Sequence, residues 1–164
     1  MKGKKQKNSY LATIINKSSD DKNFKKKYIL YHMKTALLYS QLSSANRLKC
    51  GAILVTPDNT RILMIGYNGT PSGSDNCCEI IKDNNLITRP EVVHAEANVI
   101  LYCAKHGIAT NNCNLYITHS PCLECSKLII TSGIKRVFFN EKYRLEDGIN
   151  LLKKFDLDVI QIQF

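Results

Sequence analysis

His94-Ala95-Glu96 and, further along, Pro121-Cys122-Leu123-Glu124-Cys125 are the stretches from which the rest of this chain can be read. Together they offer three metal ligands, His94, Cys122 and Cys125, and a carboxylate, Glu96, that is not one of them. One imidazole and two thiolates suit zinc and leave the fourth tetrahedral position open, whereas a closed structural site uses all four. An open position takes water, and zinc pulls the pKa of that water toward neutrality. A neighbouring glutamate can then carry protons. A Cys-x-x-Cys alone would also suit a redox pair. The competing reading here is a closed zinc knuckle completed by Cys103 or Cys113.

The flanking sequence places these residues. Ala95 to His106 has helical composition with Gly107 as its C-cap, so His94 and Glu96 fall at the helix start. Leu115 to Thr118 reads as a strand. Cys122 to Thr131 reads as the next helix, ended by Gly133, with Cys122 and Cys125 on one side of its first turn. A helix N-terminus favours the thiolate that binds metal. Arg136 to Phe139 is a strand, Leu145 to Phe155 a helix and Leu157 to Ile162 a last strand. Upstream, Tyr28, Ile29, Tyr31, Ala36, Leu37, Leu38 and Leu42 recur near helical spacing, predicting a helix between Phe24 and about Ser44. Cys50 to Thr56 and Arg61 to Gly66 are β-prone runs around the turn Pro57-Asp58-Asn59-Thr60, a hairpin. Tyr67 to Gly73 is a glycine-rich shaped loop. Residues 74 to 93 show little periodicity and read as a long connection. Strands alternating with helices after a hairpin predict an α/β domain, a mixed sheet covered by helices on both faces. The two helix starts would meet at the carboxyl edge of that sheet, where ligands bind.

A length of 164 residues fits one catalytic domain, expected over 23–164, behind a basic segment over 1–22. Within that segment Tyr10 to Ile15 is a candidate short ordered piece. The net charge of +9 is unevenly spread: Met1 to Lys27 holds nine lysines against Asp20 and Asp21, which is +7. A basic tail suits nucleic acid or an anionic surface. This one lacks a run of stacking aromatics, so a solvated arm is the expectation and nucleic acid is not the expected partner. The seven cysteines are odd in number. No secretory signal is recognisable, and no apolar stretch approaches the roughly 20 residues of a membrane span. Reduced thiols and a cytoplasmic location, with no membrane partner, follow as expectations.

H-x-E with a later P-C-x-x-C is the pattern of zinc-dependent base deaminases, which attack C4 of cytosine or C6 of adenine. The wider set resembles the deoxycytidylate (dCMP) deaminases from about Phe24 to the C-terminus. It comprises Cys50-Gly51-Ala52, Gly66-Tyr67-Asn68-Gly69-Thr70-Pro71-Ser72-Gly73, His94-Ala95-Glu96-Ala97-Asn98, Tyr116 to Cys125, and Ser132-Gly133-Ile134-Lys135. The Gly-Tyr-Asn-Gly loop narrows the cytidine deaminase superfamily to the dCMP branch. The resemblance implies a three-layer cytidine-deaminase-like fold with a five-stranded mixed sheet. It implies hydrolysis of dCMP to dUMP and ammonia, supplying dUMP for thymidylate synthesis. It also implies activation by dCTP, inhibition by dTTP, Mg2+ accompanying a triphosphate effector, and a homo-oligomer, commonly a hexamer.

Carried over by residue, His94, Cys122 and Cys125 hold one catalytic Zn2+ per subunit and Glu96 is the proton shuttle. Arg47, Asn68, Ala95, Ser120, Tyr143 and Arg144 are the candidate substrate contacts, with Tyr143-Arg144 standing where relatives place residues that gate substrate and effector. Arg47 is the candidate for the 5′-phosphate, because a guanidinium clamps phosphate in bidentate fashion. Gly66, Tyr67, Asn68, Gly69 and Gly73 are the implied effector-binding stretch. Departures are Ala97 and Val99 around Asn98, and the lysine-rich N-terminus. Cys77-Cys78 lie where some relatives carry a second, structural zinc, but no full ligand set assembles around them here. His119 is either a substrate neighbour or an ordinary histidine. Competing functions are deamination of dCTP, cytidine or single-stranded nucleic acid, or a non-catalytic nucleotide- or RNA-binding relative. Glu96 argues against the last, since binding alone needs no proton shuttle.

Overall fold

Side-chain alternation along the strands decides which helix each face of the sheet receives. The computed structural model describes residues 23–163; the basic segment and the candidate piece Tyr10 to Ile15 lie outside the described residues. The strands are β1 (Gly51–Val55), β2 (Ile62–Tyr67), β3 (Glu79–Lys82), β4 (Asn85–Thr88), β5 (Asn114–His119), β6 (Arg136–Glu141) and β7 (Asp158–Gln161). The helices are α1 (Ile29–Ser40), α2 (Ala95–His106), α3 (Leu123–Thr131) and α4 (Asp147–Lys154). Five strands form one mixed sheet in the order β2-β1-β5-β6-β7, as expected. β1 runs antiparallel to β2 and β5, and β5, β6 and β7 are parallel.

Ile53 and Val55 of β1, Tyr116 of β5 and Phe138 of β6 face α1, where they meet Phe24, Ile29, Met33 and Ala36. Ala52, Leu54, Leu115, Ile117, Val137 and Phe139 face the other way. There they pack on Val99 and Cys103 of α2, Ile129 of α3, and Ile149 and Leu152 of α4. Every residue of β1 is buried, which is why the sequence shows a continuous apolar run there rather than an alternating one.

The α1 layer carries a small polar network. The Tyr116 hydroxyl donates to Asn59 Oδ1 at 2.7 Å, and Tyr116 stacks on Phe138 with ring centroids 4.4 Å apart. His32 Nε2 donates to the Asn59 carbonyl at 3.0 Å. Asn59 adopts φ 67° in the expected turn, and its side-chain amide donates to the Lys25 carbonyl. The turn between β1 and β2 therefore fixes the approach to α1.

Two expectations change. The first helix is shorter than predicted: a 3-10 turn over Lys26–Tyr28 leads into Ile29–Ser40, and Leu42 lies beyond it, exposed. Residues 74 to 93 are not an unstructured connection, because β3 and β4 form a separate two-stranded sheet. Their two-residue turn is Asp83-Asn84, with φ 49° and 62°. Positive φ at both positions is the mark of the type I′ hairpin, and Asp and Asn tolerate it. No helix among the described residues is long and apolar enough to cross a membrane.

Two consequences are measurable. A Cβ at Gly51 would run into the Ala36 carbonyl and the Ser40 amide of α1. Gly51→Ala is expected to lower unfolding free energy by about 1–3 kcal/mol, read from urea melts. His32 behaves differently from a surface histidine: burial lowers its pKa below the usual 6.5, against the opposing bond to Asn59. The folded chain therefore keeps the ring neutral where the unfolded chain is already taking up a proton. The stability His32 contributes is complete above pH 6.5 and is lost as pH falls from there toward the folded-state value. NMR titration is expected to place the His32 ring below 6.5.

Candidate active site

Two helix starts build the metal-ligand group. His94 immediately precedes α2 and Cys122 immediately precedes α3, each with extended backbone (ψ 155° and 171°). Cys125 lies one turn into α3 and is buried. The two helices pack side by side, and His94 Nδ1 comes within 3.4 Å of Cys125 Sγ and 3.6 Å of Cys122 Sγ. The ligand atoms of His94, Cys122 and Cys125 all lie within 4.8 Å of one another. Among the described residues this is the one group of three or more His, Cys, Asp or Glu side chains so arranged.

The site is packed from behind by α4. Its Gly148 faces the Pro121 and Cys122 carbonyls and the Ser126 hydroxyl, leaving no room for a Cβ. Ser126 Oγ and the Ser126 amide both donate to the Cys122 carbonyl, at 2.9 and 3.0 Å. These contacts fix where the cysteine sulfurs point.

Electrostatics suit the donor set to a cation. The Cys125 thiol donates to Cys122 and His94 bonds it as well, which pulls the Cys122 thiol down to about 3. Cys125 moves up, because it supplies that hydrogen bond and is buried. His94 moves up through its bond to Cys122. A thiolate already stabilised by two neighbours is a ligand waiting for positive charge, and a metal replaces the shared proton. One imidazole and two soft sulfurs in this arrangement fit zinc and supply three protein ligands, as in catalytic sites.

Glu96 sits in the first turn of α2, buried, and lies outside the ligand group. Burial pushes its carboxyl upward. Cys103 and Cys113, either of which would have closed a structural knuckle, are instead buried in the core between the sheet and α2.

A cleft of about 270 Å³ opens over these residues. Its wall includes His94, Ala95, Glu96 and Cys122, and every other candidate substrate contact: Arg47, Asn68, Ser120, Tyr143 and Arg144. The Ser120 hydroxyl accepts the Tyr143 amide proton at 2.7 Å, which brings the Tyr143-Arg144 loop over the cleft. Asn68 is placed differently from a simple ligand contact. Its Oδ1 accepts the Cys50 amide at 2.7 Å and its Nδ2 donates to the Leu48 carbonyl at 2.9 Å, so the side chain braces the 48–50 segment. His119 is on the wall, half-buried, with Nδ1 3.1 Å from Thr118 Oγ1, and burial lowers its pKa.

Of the implied effector stretch, Gly66 and Tyr67 end β2. Gly69 exchanges backbone bonds of 3.1 and 2.8 Å with Val93, immediately before His94. Gly73 holds φ 94° in the loop beyond. Cys77 Sγ faces the Glu79 carbonyl and Cys78 Sγ the Ser44 hydroxyl, and neither joins a metal-ligand group among the described residues. The wall also holds Glu79 and Thr88 of the β3–β4 hairpin, which the sequence reading did not single out. The signal available was the pair of four-residue β-prone runs flanking Asp83-Asn84.

The model for the cytidine and deoxycytidylate deaminase zinc-binding region matches residues 26–141. This chain belongs to that family. It is 40% identical to human deoxycytidylate deaminase over 122 residues, covering 71% of this chain and 67% of the relative. ComE operon protein 2 of Bacillus subtilis is 38% identical over 118 residues, covering 70% of this chain; the match spans 59% of that relative's length. The crystal structure of dCMP deaminase from the cyanophage S-TIM5, in complex with dCMP and dUMP, superposes with a TM-score of 0.78 at 42% identity. That alignment covers 85% of this chain and 99% of the phage enzyme. The family's zinc-binding region contains His94, Cys122 and Cys125, the cluster the structure gathers.

Because Gly148 sets the backbone behind Cys122, Gly148→Ala is expected to weaken zinc retention by about tenfold or more, the size of effect seen when outer-shell support is lost. Chelator competition on the purified folded protein measures it. Unchanged retention would show that the α4 contact does not govern the ligands.

Proposed function

We propose that this protein is a deoxycytidylate deaminase, hydrolysing dCMP to dUMP and ammonia. The observation that carries the reading is a buried carboxylate, Glu96, beside an imidazole–dithiolate cluster but outside it, under a cleft walled by two arginines. The S-TIM5 enzyme, which aligns over nearly its whole length, supports the substrate class.

In this reading His94, Cys122 and Cys125 hold the zinc. When bound, zinc supplies the Lewis acidity that makes water a nucleophile near neutral pH. Glu96 accepts the proton that water gives up as its oxygen bonds to C4. Glu96 passes that proton to N3, takes the remaining proton from the new C4 hydroxyl and delivers it to the amino group; the C4–N bond breaks, the C4 carbonyl forms and ammonia leaves. The raised pKa of Glu96 suits this, since a carboxyl poised nearer neutrality both takes and gives a proton. Ala95, with only a methyl side chain on the cleft wall, leaves space for the pyrimidine. Arg47 and Arg144 give that wall two guanidinium groups for the 5′-phosphate. Asn68 and Ser120 act at one remove, by holding the 48–50 and 143–144 segments.

The finer reading adds activation by dCTP and inhibition by dTTP at the Gly66 to Gly73 stretch, in a homo-oligomer, with a hexamer as the expected form. The backbone bridge from Gly69 to Val93 supports such coupling, since it ends next to the ligand His94.

Glu96→Gln is expected to keep its zinc and lose turnover by a factor on the order of 10³. Ammonia release should be greatest with dCMP when dCMP, dCTP, cytidine, deoxycytidine and single-stranded DNA are compared. Dominant activity on dCTP or DNA, or substantial turnover by Glu96→Gln, would overturn the reading.

A further inference from the structure

Glu79 is an uncommon residue: a carboxylate, 7% exposed, on a hairpin whose other side chains are mostly exposed. A buried carboxylate is costly unless its oxygens are engaged. Those of Glu79 are engaged entirely by the segment that carries Arg47. Oε1 accepts the backbone amides of Asn46 at 3.0 Å and Arg47 at 3.2 Å, and Oε2 accepts from Asn46 Nδ2 at 3.5 Å. Directly across the hairpin from Glu79, in register, stands Thr88. Its hydroxyl accepts a 2.8 Å bond from Arg47 Nη1.

Arg47 is therefore gripped at both ends by one cross-strand pair. Glu79 fixes its main chain and Thr88 fixes its guanidinium. All three residues lie on the cleft wall. Among the described residues no carboxylate forms an ion pair with Arg47, and the threonine bond uses only one of the five N–H donors of a guanidinium. A long flexible side chain that is held but not neutralised has been prepared for an anion from outside the chain. Ordering it in advance spares the rotamer entropy that binding would otherwise cost.

We infer that Glu79 and Thr88 are positioning residues for Arg47, and that the β3–β4 hairpin thereby sets the preference of the cleft for a phosphorylated over an unphosphorylated cytosine nucleoside. This rests on the proposed deaminase reading for the identity of the substrate. It assigns to the hairpin a selectivity role separate from the chemistry at Glu96.

The test compares dCMP with deoxycytidine on zinc-loaded wild type, Thr88→Val, Thr88→Ser, Glu79→Gln and Arg47→Ala. Thr88→Val and Glu79→Gln are each expected to raise KM for dCMP by about tenfold, as for loss of one charge-assisted hydrogen bond. Effects on kcat and on deoxycytidine should be much smaller, so the discrimination ratio falls. Thr88→Ser keeps the hydroxyl and should restore most of the preference. Thr88→Val placed on Arg47→Ala should add little, because the residue acts through the arginine. An unchanged dCMP preference in both hairpin variants would overturn the inference. So would equal losses on both substrates, or additive losses in the double variant.

The failure of the activity reading is separable. If the wild type turns over another compound and not dCMP, equilibrium binding of dCMP against deoxycytidine decides. A wild-type preference that collapses in Thr88→Val supports the clamp. A preference that survives, or none in the wild type, overturns it.

Discussion

The approach of one imidazole nitrogen to two sulfurs, from two separate helix starts, is the constraint on which the rest of this structure depends. His94 and Cys122 are far apart in sequence, so the fold must bring the beginning of α2 beside the beginning of α3. The sheet does this by placing β1 between β2 and β5. α2 then lies over β1 and β2, while β5 ends at His119 and delivers the chain through Pro121 into α3. Close packing of α4 behind Pro121 completes the enclosure. The arrangement needs the mixed sheet: β5 and β6 must be parallel for α3 to cross between them, and β1 must be antiparallel to β2 for a short turn to join them.

Electrostatics and burial are matched to that geometry. Two helix N-termini point their partial positive charge at the cluster, favouring thiolate at Cys122. The same burial disfavours ionised Glu96, so one pocket makes a cysteine more acidic and a glutamic acid less so. Separated titration of neighbouring groups is how a single site assigns ligand and proton carrier.

What could be read from the residues alone divides along physical lines. The metal ligands were legible because soft donors and a non-ligand carboxylate are few in kind and carry their chemistry in their identity. The central strands β1, β5 and β6 were legible because burial on both faces leaves runs such as Ala52 to Val55, and the edge strands β2 and β7 because they are short β-prone runs beside turns. The β3–β4 hairpin was not. Ile80, Ile81, Leu86 and Ile87 put apolar groups on both faces, all of them exposed, so no period of two marks which side is inward. Its turn is Asp-Asn rather than the stronger Asn-Gly signal. With the hairpin unseen, Glu79 and Thr88 had no register and no reason to be paired. Asn68 shows another limit: its identity suggests a hydrogen-bonding role, but only the fold reveals that backbone atoms of Leu48 and Cys50 claim it.

The wall of the cleft is assembled from strands, turns and helix ends drawn from residue 45 to residue 144, with no one segment supplying most of it. Such a pocket has no local precursor: it exists only once the whole chain has closed around it. Whatever fills it is therefore gripped by the tertiary structure at large, and its binding energy is distributed to the global folding equilibrium rather than to any one loop.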